Sequence, residues 1–334
     1  MSERAFDRIL IVRLSSIGDI VLTTPLVRQL RSRFPAAELH YLTNPAFAPL
    51  LIHNPHLNQV LTTDALPDEF YSQQYDTVID LQNNARSRGW ISRLKGAPEI
   101  FRYSKENWKK FLLVNFKINL LADETPVPER YRKAVLPLGV RDDGCGCEVF
   151  LSESDEAFAE KMLPDAKRRL AICYGARHFT KRFPAEKFAR VIGTVLNQTD
   201  AEVLLLGGES DKATGDEIFS MLPNARVKNF SGACSILQTA ALIARSDMVL
   251  TNDTGLLHIA SAFQKKTVAL FGSSVGEFGF APFRTPHQVF EVQGLACRPC
   301  SHIGKNHCPE GHFKCMRELN DAEIAGATIQ YLTM

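Results

Sequence analysis

Short apolar runs alternate along the chain with stretches of helical periodicity. Arg8-Ile9-Leu10-Ile11-Val12-Arg13-Leu14 is rich in β-branched residues and does not alternate with polar ones, which predicts a strand buried on both faces. A turn at Ser15-Ser16-Ile17-Gly18-Asp19 follows. From Ile20 to Arg33 the spacing of Leu22, Leu26, Val27 and Leu30 predicts one helix with an apolar stripe, closed by Pro35. Further strands are expected at Glu38–Leu42, Gln59–Thr62 and Thr77–Leu81. The stretch from Ala122 to Gly146 is dense in proline and glycine and reads as the end of one domain and a linker. Beyond it the alternation restarts. Strands are expected at Leu170–Tyr174, Glu202–Leu206, Ala225–Phe230, Met248–Thr251 and Thr267–Phe271. Helices are expected at Ala185–Leu196, Asp211–Met221, Ser235–Ala244 and Leu256–Phe263, and a last one at Asp321–Leu332 behind Asn320, a natural N-cap. Alternating strands and helices predict an α/β protein with parallel sheets, and the restart predicts two Rossmann-like domains facing a central cleft. Their expected bounds are residues 1–150 and 151–334, with the last helix free to pack back on the first domain.

Composition narrows the possibilities. A length of 334 residues suits two ordinary domains, and 45% hydrophobic with 23% charged residues is the mixture of a folded protein. No run approaches the roughly 18 apolar residues of a membrane-spanning helix. Met1–Ala5 leads into the first strand without the apolar core of a signal peptide, so the eight cysteines are expected to be reduced thiols in the cytoplasm. A net charge of +2 argues against a polycation that coats nucleic acid. The charge is uneven, however. Arg86, Arg88, Arg93, Lys95, Arg102, Lys105, Lys109, Lys110 and Lys117 face only Glu99 and Glu106, a local balance of +7, with Trp90, Phe101, Tyr103, Trp108 and Phe111 interleaved. Two readings fit this segment: a solvated helical face, or a surface that holds an anionic partner while its aromatics touch a lipid boundary.

Three strand-to-helix junctions carry the candidate chemistry, because helix N-termini offer free N–H groups and positive dipole. They are Leu14–Asp19, Gly175–Pro184 and Thr251–His258. None contains the P-loop or the dinucleotide fingerprint. Thr254 and Gly255 suit a diphosphate at a helix start, with Lys181 or Arg182 neutralising its charge. Asp19 suits a general base across the cleft from that diphosphate. On spacing alone, Asp19 and Asp253 serve equally well as helix N-caps, and His258 as a packed helix residue.

Residues Ile9–Pro25 (ILIVRLSSIGDIVLTTP) and Thr251–Ser274 (TNDTGLLHIASAFQKKTVALFGSS) resemble the two signatures of the bacterial heptosyltransferases of glycosyltransferase family 9. Gly175-Ala176 with Lys181-Arg182-Phe183-Pro184, Leu206-Gly207-Gly208 ahead of Asp211, and Glu129-Arg130-Tyr131 fall in the same order. The likeness runs from about Ile9 to Met316. It implies a GT-B fold and an inverting glycosyl transfer with no metal and no cofactor. The implied donor is ADP-heptose, and the implied acceptor is the inner core of lipopolysaccharide at the cytoplasmic face of the inner membrane. Asp19 matches the proposed catalytic base, and Lys181 the lysine that pairs with the donor phosphates. Gly175, Ala176, Asp211, Asp253, Thr254, Gly255 and His258 match the donor site. Arg13 matches a basic position near the base, where the resemblance implies that it holds the acceptor or restrains Asp19, and Arg86, Arg88 and Arg93, also expected to bind the acceptor, follow a segment, Asp80–Asn84, that resembles the acceptor-side loop. With that resemblance the basic segment is read as a peripheral membrane and acceptor contact.

Two features leave the step open. Ser15–Asp19 resembles the first-heptose enzymes, whereas the tail with Cys297, Cys300, Cys308 and Cys315 resembles the second, toward which the reading leans. Those cysteines, with His302, His307 and His312, are of zinc-ligand type but not in standard spacing, and packed thiols are the expectation. The alternatives are a family 9 enzyme with another nucleotide sugar or acceptor, a nucleotide-sugar epimerase, and a non-catalytic nucleotide-sugar binder. Asp19 and Lys181 together argue against the last.

Overall fold

In the computed structural model, residues 6–121, 125–165 and 167–334 are described; the readings of Met1–Ala5 and of the linker's start at Ala122 lie outside them. The first elements are β1 (Arg8–Val12), α1 (Ile17–Val21), α2 (Thr24–Arg33), β2 (Glu38–Thr43), β3 (Gln59–Thr62), β4 (Thr77–Asp80), α3 (Ala85–Ile91) and β5 (Glu99–Arg102). Two helices follow, α4 (Asn107–Phe116) and α5 (Val127–Lys133). The five strands form a parallel sheet in the order β3-β2-β1-β4-β5, with Leu10 opposite both His40 and Val78. Ile9 to Val12 are fully buried, as a central strand covered by crossover helices requires. On one face Leu10, Val12, Leu42 and Val78 share a core with Phe70 and Tyr75.

The single helix expected at Ile20–Arg33 is broken in two. Pro25 lacks an N–H and its ring clashes with the carbonyl four residues back, so it sits in the first turn of a new helix. Hydroxyls take up the carbonyls freed at the break: Thr23 Oγ1 donates to Ile20 O at 2.7 Å and Thr24 Oγ1 to Val21 O at 2.8 Å. The break leaves α1 as a one-turn pedestal under Asp19. The stretch read as linker also holds a helix, α5, whose Pro128 occupies a first-turn position where no N–H is needed.

The second set is α6 (Glu153–Met162), β6 (Arg169–Cys173), α7 (Ala185–Gln198), β7 (Glu202–Leu205), α8 (Lys212–Ser220), β8 (Val227–Asn229), α9 (Ile236–Ala244), β9 (Met248–Asn252), α10 (Gly255–Ala262), β10 (Lys266–Phe271), β11 (His287–Glu291), α11 (Lys314–Arg317) and α12 (Asp321–Thr333). Its six strands are parallel in the order β11-β10-β9-β6-β7-β8, the dinucleotide-fold order with its switch point between β6 and β9. In the first sheet the equivalent point lies between β1 and β4. The core of this half gathers Ile172, Phe188, Ile192, Leu205, Leu250 and Leu270. Helix α12 packs on α7, and the Asn320 side chain caps it by accepting from the N–H groups of Ala322 and Glu323.

The chain falls into two units, Met1–Glu106 with Thr125–Phe150, and Asn107–Glu124 with Leu151–Met334. Residues 107–124, placed by the sequence reading in the first domain, therefore go with the second. There Leu113 and Leu121 pack against Phe278. The last helix, for its part, packs within its own unit.

Candidate active site

Both switch points carry the residues singled out by their chemistry. In the first unit, the chain leaving β1 turns at Ser15 and enters α1, with Ser16 as N-cap and Asp19 three residues on. Asp19 Oδ2 accepts from Ser16 Oγ at 3.0 Å and from Ser16 N–H at 3.3 Å. Ser16, not Asp19, is therefore the N-cap; Asp19 stands at the third helical position, where its carboxylate closes a capping box. Its other oxygen, Oδ1, pairs with Arg13 Nη2 at 2.7 Å and lies 3.5 Å from Tyr131 Oη. Arg13 is buried and spends two further donors on carbonyls, Nε on Ser15 O at 2.8 Å and Nη1 on Leu81 O at 2.7 Å. Burial pushes the Asp19 carboxyl up, but the Arg13 guanidinium and the two Ser16 bonds outweigh it and hold the group below the usual carboxylate range. A side chain so held is ionised and fixed in direction.

The loop after β4 is tied to the same place. Gln82 Oε1 accepts from Leu14 N–H at 3.0 Å, and the buried Asp80 accepts from Asn83 N–H at 2.7 Å and from Ser87 Oγ at 3.0 Å. Lys105 is half-buried here; burial, with Arg13 adding, holds its ammonium below the ordinary lysine range, although Asp19 and Asp80 pull the other way. Arg86 and Arg88 lie exposed on α3, and Arg88 Nη2 donates to Asn83 Oδ1 at 3.0 Å. Arg93 lies beyond the end of α3 with its guanidinium 4.0 Å from the Tyr71 ring centroid, so it is committed to an aromatic stack.

In the second unit, Lys181 Nζ meets Asp253 Oδ2 at 2.6 Å, joining the loop after β6 to the loop after β9. Asp253 is buried and also accepts from Ser274 Oγ. Burial pushes its carboxyl up, and the Lys181 ammonium with the Ser274 hydroxyl more than offsets this, leaving it below the usual carboxylate range. Thr254 caps α10 in an extended conformation, Gly255 opens the helix, and His258 is buried one turn in, its ring 6.2 Å from that of Phe280. Gly175 and Ala176 leave β6 beside Asp211. A Cβ on Gly175 would stand 2.3 Å from Asp211 Oδ2, so glycine is what lets that carboxylate close on the strand end. Asp211 Oδ2 in turn accepts from Gly208 N–H at 3.2 Å. Arg182, offered with Lys181 for the diphosphate, turns back to donate from Nε to Ala176 O at 2.6 Å.

Several positioning residues escaped the sequence reading. Buried Asn252 ties three segments: its Oδ1 accepts from Phe183 N–H at 3.2 Å and its Nδ2 donates to Tyr174 O at 2.5 Å. Thr180 accepts from Lys305 N–H through Oγ1 at 2.9 Å, and its carbonyl accepts from Ser273 N–H at 3.2 Å. These contacts join residues far apart in the chain, and no local pattern marks them.

Among the described residues, no group of three or more His, Cys, Asp or Glu side chains is placed to hold a metal. Cys297, Cys300, Cys308 and Cys315 are free thiols. Cys297 Sγ lies 3.9 Å from His312 Nε2, and Cys308 Sγ accepts from Phe313 N–H at 3.4 Å. Burial pushes the Cys315 thiol up to about 12 and that of Cys300 also upward, which keeps both protonated. No helix among the described residues is long and apolar enough to cross a membrane.

The family model described as glycosyltransferase family 9 (heptosyltransferase) matches residues 65–309. Lipopolysaccharide heptosyltransferase 2 of Escherichia coli K12 is 22% identical over 305 residues, covering 81% of this chain and 84% of the relative. Lipopolysaccharide heptosyltransferase 1 of Pseudomonas aeruginosa PAO1 is 23% identical over 320 residues, covering 88% and 86%. The crystal structure of the family 9 glycosyltransferase from Veillonella parvula superimposes with a TM-score of 0.81 at 21% identity, over 99% of this chain and 98% of that one.

Proposed function

Because the chain belongs to glycosyltransferase family 9, we propose that it moves heptose from ADP-heptose to the inner core of lipopolysaccharide, at the second-heptose step. The observation that carries this reading is the Lys181–Asp253 pair at the β6/β9 switch point, beside the N-terminus of α10. A buried carboxylate holds a lysine there at 2.6 Å, so a cation stands ready where a diphosphate would meet free helix N–H groups. Gly175, Ala176, Thr254, Gly255 and His258 line the donor in this reading, and Asp211 takes a ribose hydroxyl.

The chemistry is a single displacement. Asp19 takes the proton of an acceptor hydroxyl as that oxygen forms its bond to the anomeric carbon from the face opposite the leaving group. The bond from that carbon to the β-phosphate oxygen breaks, the centre inverts, and ADP leaves with its new charge met by Lys181 and the α10 N-terminus. Neither a covalent enzyme intermediate nor a metal is invoked. Of the two roles open to Arg13, holding the acceptor or restraining Asp19, the second is adopted: it is a positioning residue, with donors engaged by Asp19 and two carbonyls. The acceptor's anionic groups are assigned to Arg86 and Arg88, with Arg93 farther along on its aromatic stack. The lean to the second step rests on the cysteine tail and on the type-2 relative; the Ser15–Asp19 signature and the type-1 relative favour the first. In this reading the enzyme works in the cytoplasm, peripheral to the inner membrane where such an acceptor is anchored.

The test is ADP release from ADP-heptose, with and without heptose-deficient lipopolysaccharides of graded truncation. Acceptor-dependent release with a mass gain of one heptose is expected, and the truncation accepted names the step. ADP binding with no transfer to any core acceptor overturns the substrate assignment.

A further inference from the structure

The tail beyond β11 sends one arginine back toward the donor loops. A turn closed by Arg298 N–H on Leu295 O at 2.9 Å aims the side chain inward, where only 7% of it stays exposed. Nη1 donates to Val292 O at 2.8 Å, and Nη2 donates to Glu291 Oε2 and to Ser274 O, each at 2.6 Å. Nε is buried and has no hydrogen-bond partner among the described residues. Burying a guanidinium with one donor unmet stabilises a fold no better than a packed apolar side chain would. What the planar fork adds is direction, because it sets the end of β11 and the Ser274 backbone in fixed relation to each other.

Ser274 is the link to the chemistry. It is buried in the loop after β10, and its hydroxyl donates to Asp253 Oδ2, the same oxygen that meets Lys181 Nζ at 2.6 Å. One carboxylate oxygen thus takes both donors, and where that oxygen sits decides where the ammonium stands. A serine hydroxyl turns freely about its own bond, so it gives direction only from a fixed backbone. That backbone is fixed twice: Ser273 N–H donates to Thr180 O at 3.2 Å, and Ser274 O accepts from Arg298. The tail braces the other loop as well. Thr180, the residue before Lys181, donates its N–H to Lys305 O at 3.1 Å and accepts from Lys305 N–H at 2.9 Å. Arg298 therefore supports the ion pair from the Asp253 side, and Lys305 from the Lys181 side.

We propose that Arg298 is a positioning residue of the donor site, fixing Ser274 so that its hydroxyl aims Asp253, and with it Lys181, at the donor's diphosphate. This rests on the reading of Lys181 as the phosphate contact. The effect is one of placement, since a cation moved by about an ångström from its productive position loses much of its advantage. No local pattern marks the link, because Arg298 and Ser274 stand 24 positions apart and meet through a backbone carbonyl.

The experiment titrates ADP calorimetrically into the full chain and into Arg298→Met, Ser274→Ala and the double variant, with thermal melting alongside. Each single variant should bind ADP about tenfold more weakly. The double variant should bind no more weakly than the worse single one, because both changes cut the same path. Arg298→Lys keeps the charge without the fork and should recover part of the affinity; it also carries the comparison if Arg298→Met melts too low to titrate. An arginine that only staples the tail would weaken ADP by the same factor whether or not Ser274 keeps its hydroxyl. Such additive losses, or an Arg298→Met affinity within about twofold of the parent, overturn the proposal. A parent that binds no ADP takes down the phosphate reading and this one with it. A parent that binds ADP and shows the coupled losses, yet transfers nothing to any core acceptor, upholds the role of Arg298 and overturns the transferase reading alone.

Discussion

Replacing Lys181 with alanine tests two roles, a phosphate contact that the proposed function assigns to it and the ion pair it makes with Asp253. The first is direct: a charge-assisted contact to phosphate contributes about 1.5–3 kcal/mol, so its loss should weaken ADP binding roughly 10- to 150-fold. The second acts through Asp253. That carboxylate is only 6% exposed and has Lys181 and Ser274 as its polar partners in the loop. Removing one member of a buried pair costs about 3–5 kcal/mol when the survivor stays charged, and less when it takes up a proton. An unpaired anion at the phosphate site would also repel ADP. Titration calorimetry with ADP on Lys181→Ala, Asp253→Ala and the double variant, alongside thermal melting, separates the roles. If Lys181 touches phosphate, the double variant recovers melting temperature but not affinity. Wild-type affinity in the double variant, or a single variant within about twofold of wild type, refutes the phosphate contact and leaves Lys181 as a counter-ion for Asp253.

Asp19→Asn keeps shape and loses basicity, so ADP affinity should hold while transfer falls by about 100-fold or more; near-normal turnover makes Asp19 a cap and nothing else. Arg13→Met removes the cation that offsets burial, so the Asp19 pKa should rise and the acid limb of the transfer profile move to higher pH; an unmoved limb refutes the positioning role. The folded pKa of Asp19 is depressed, so its contribution to stability is present above its unfolded pKa and lost as pH falls through the folded one; melting temperature followed downward from neutral pH should show a loss in wild type that Asp19→Asn lacks. Gly175→Ala should force Asp211 from its place and cost about 1–3 kcal/mol of stability, with the loss relieved in Gly175→Ala/Asp211→Ala; a lone Gly175→Ala that melts like wild type refutes the close approach.

What could be read from the sequence follows from how local each signal is. The central strands announce themselves as β-branched runs because both their faces are covered. The edge strands β5 (Glu-Ile-Phe-Arg) and β11 (His-Gln-Val-Phe-Glu) are short, half-exposed and mixed in polarity, so they leave no such mark. Proline misled twice: Pro25 divides a helix whose apolar stripe runs on across the break, and Pro128 starts a helix inside a stretch that looked like linker. At the site, Asp19, Lys181 and Asp253 could be picked out by residue type at strand-to-helix junctions. Two of their partners could not. Tyr131 reaches Asp19 from 112 positions away and Ser274 reaches Asp253 from 21, and neither contact has a sequence period. The exposed face of α4 was legible only as charge with aromatics interleaved; which side those aromatics take depends on Leu113 meeting Phe278, 165 positions later.

Residues 107–124 belong to the second unit although they lie inside the stretch that builds the first. The polypeptide therefore passes between the units three times, near positions 106, 124 and 150, and no single cut yields two intact pieces. A fragment ending at Phe150 would carry α4 without the Phe278 against which Leu113 and Leu121 pack, and its counterpart would expose the vacated wall. Anyone recombining this protein with a relative, to exchange the second unit whole, would have to move two segments together: the short one around α4 and the long one from Leu151 onward.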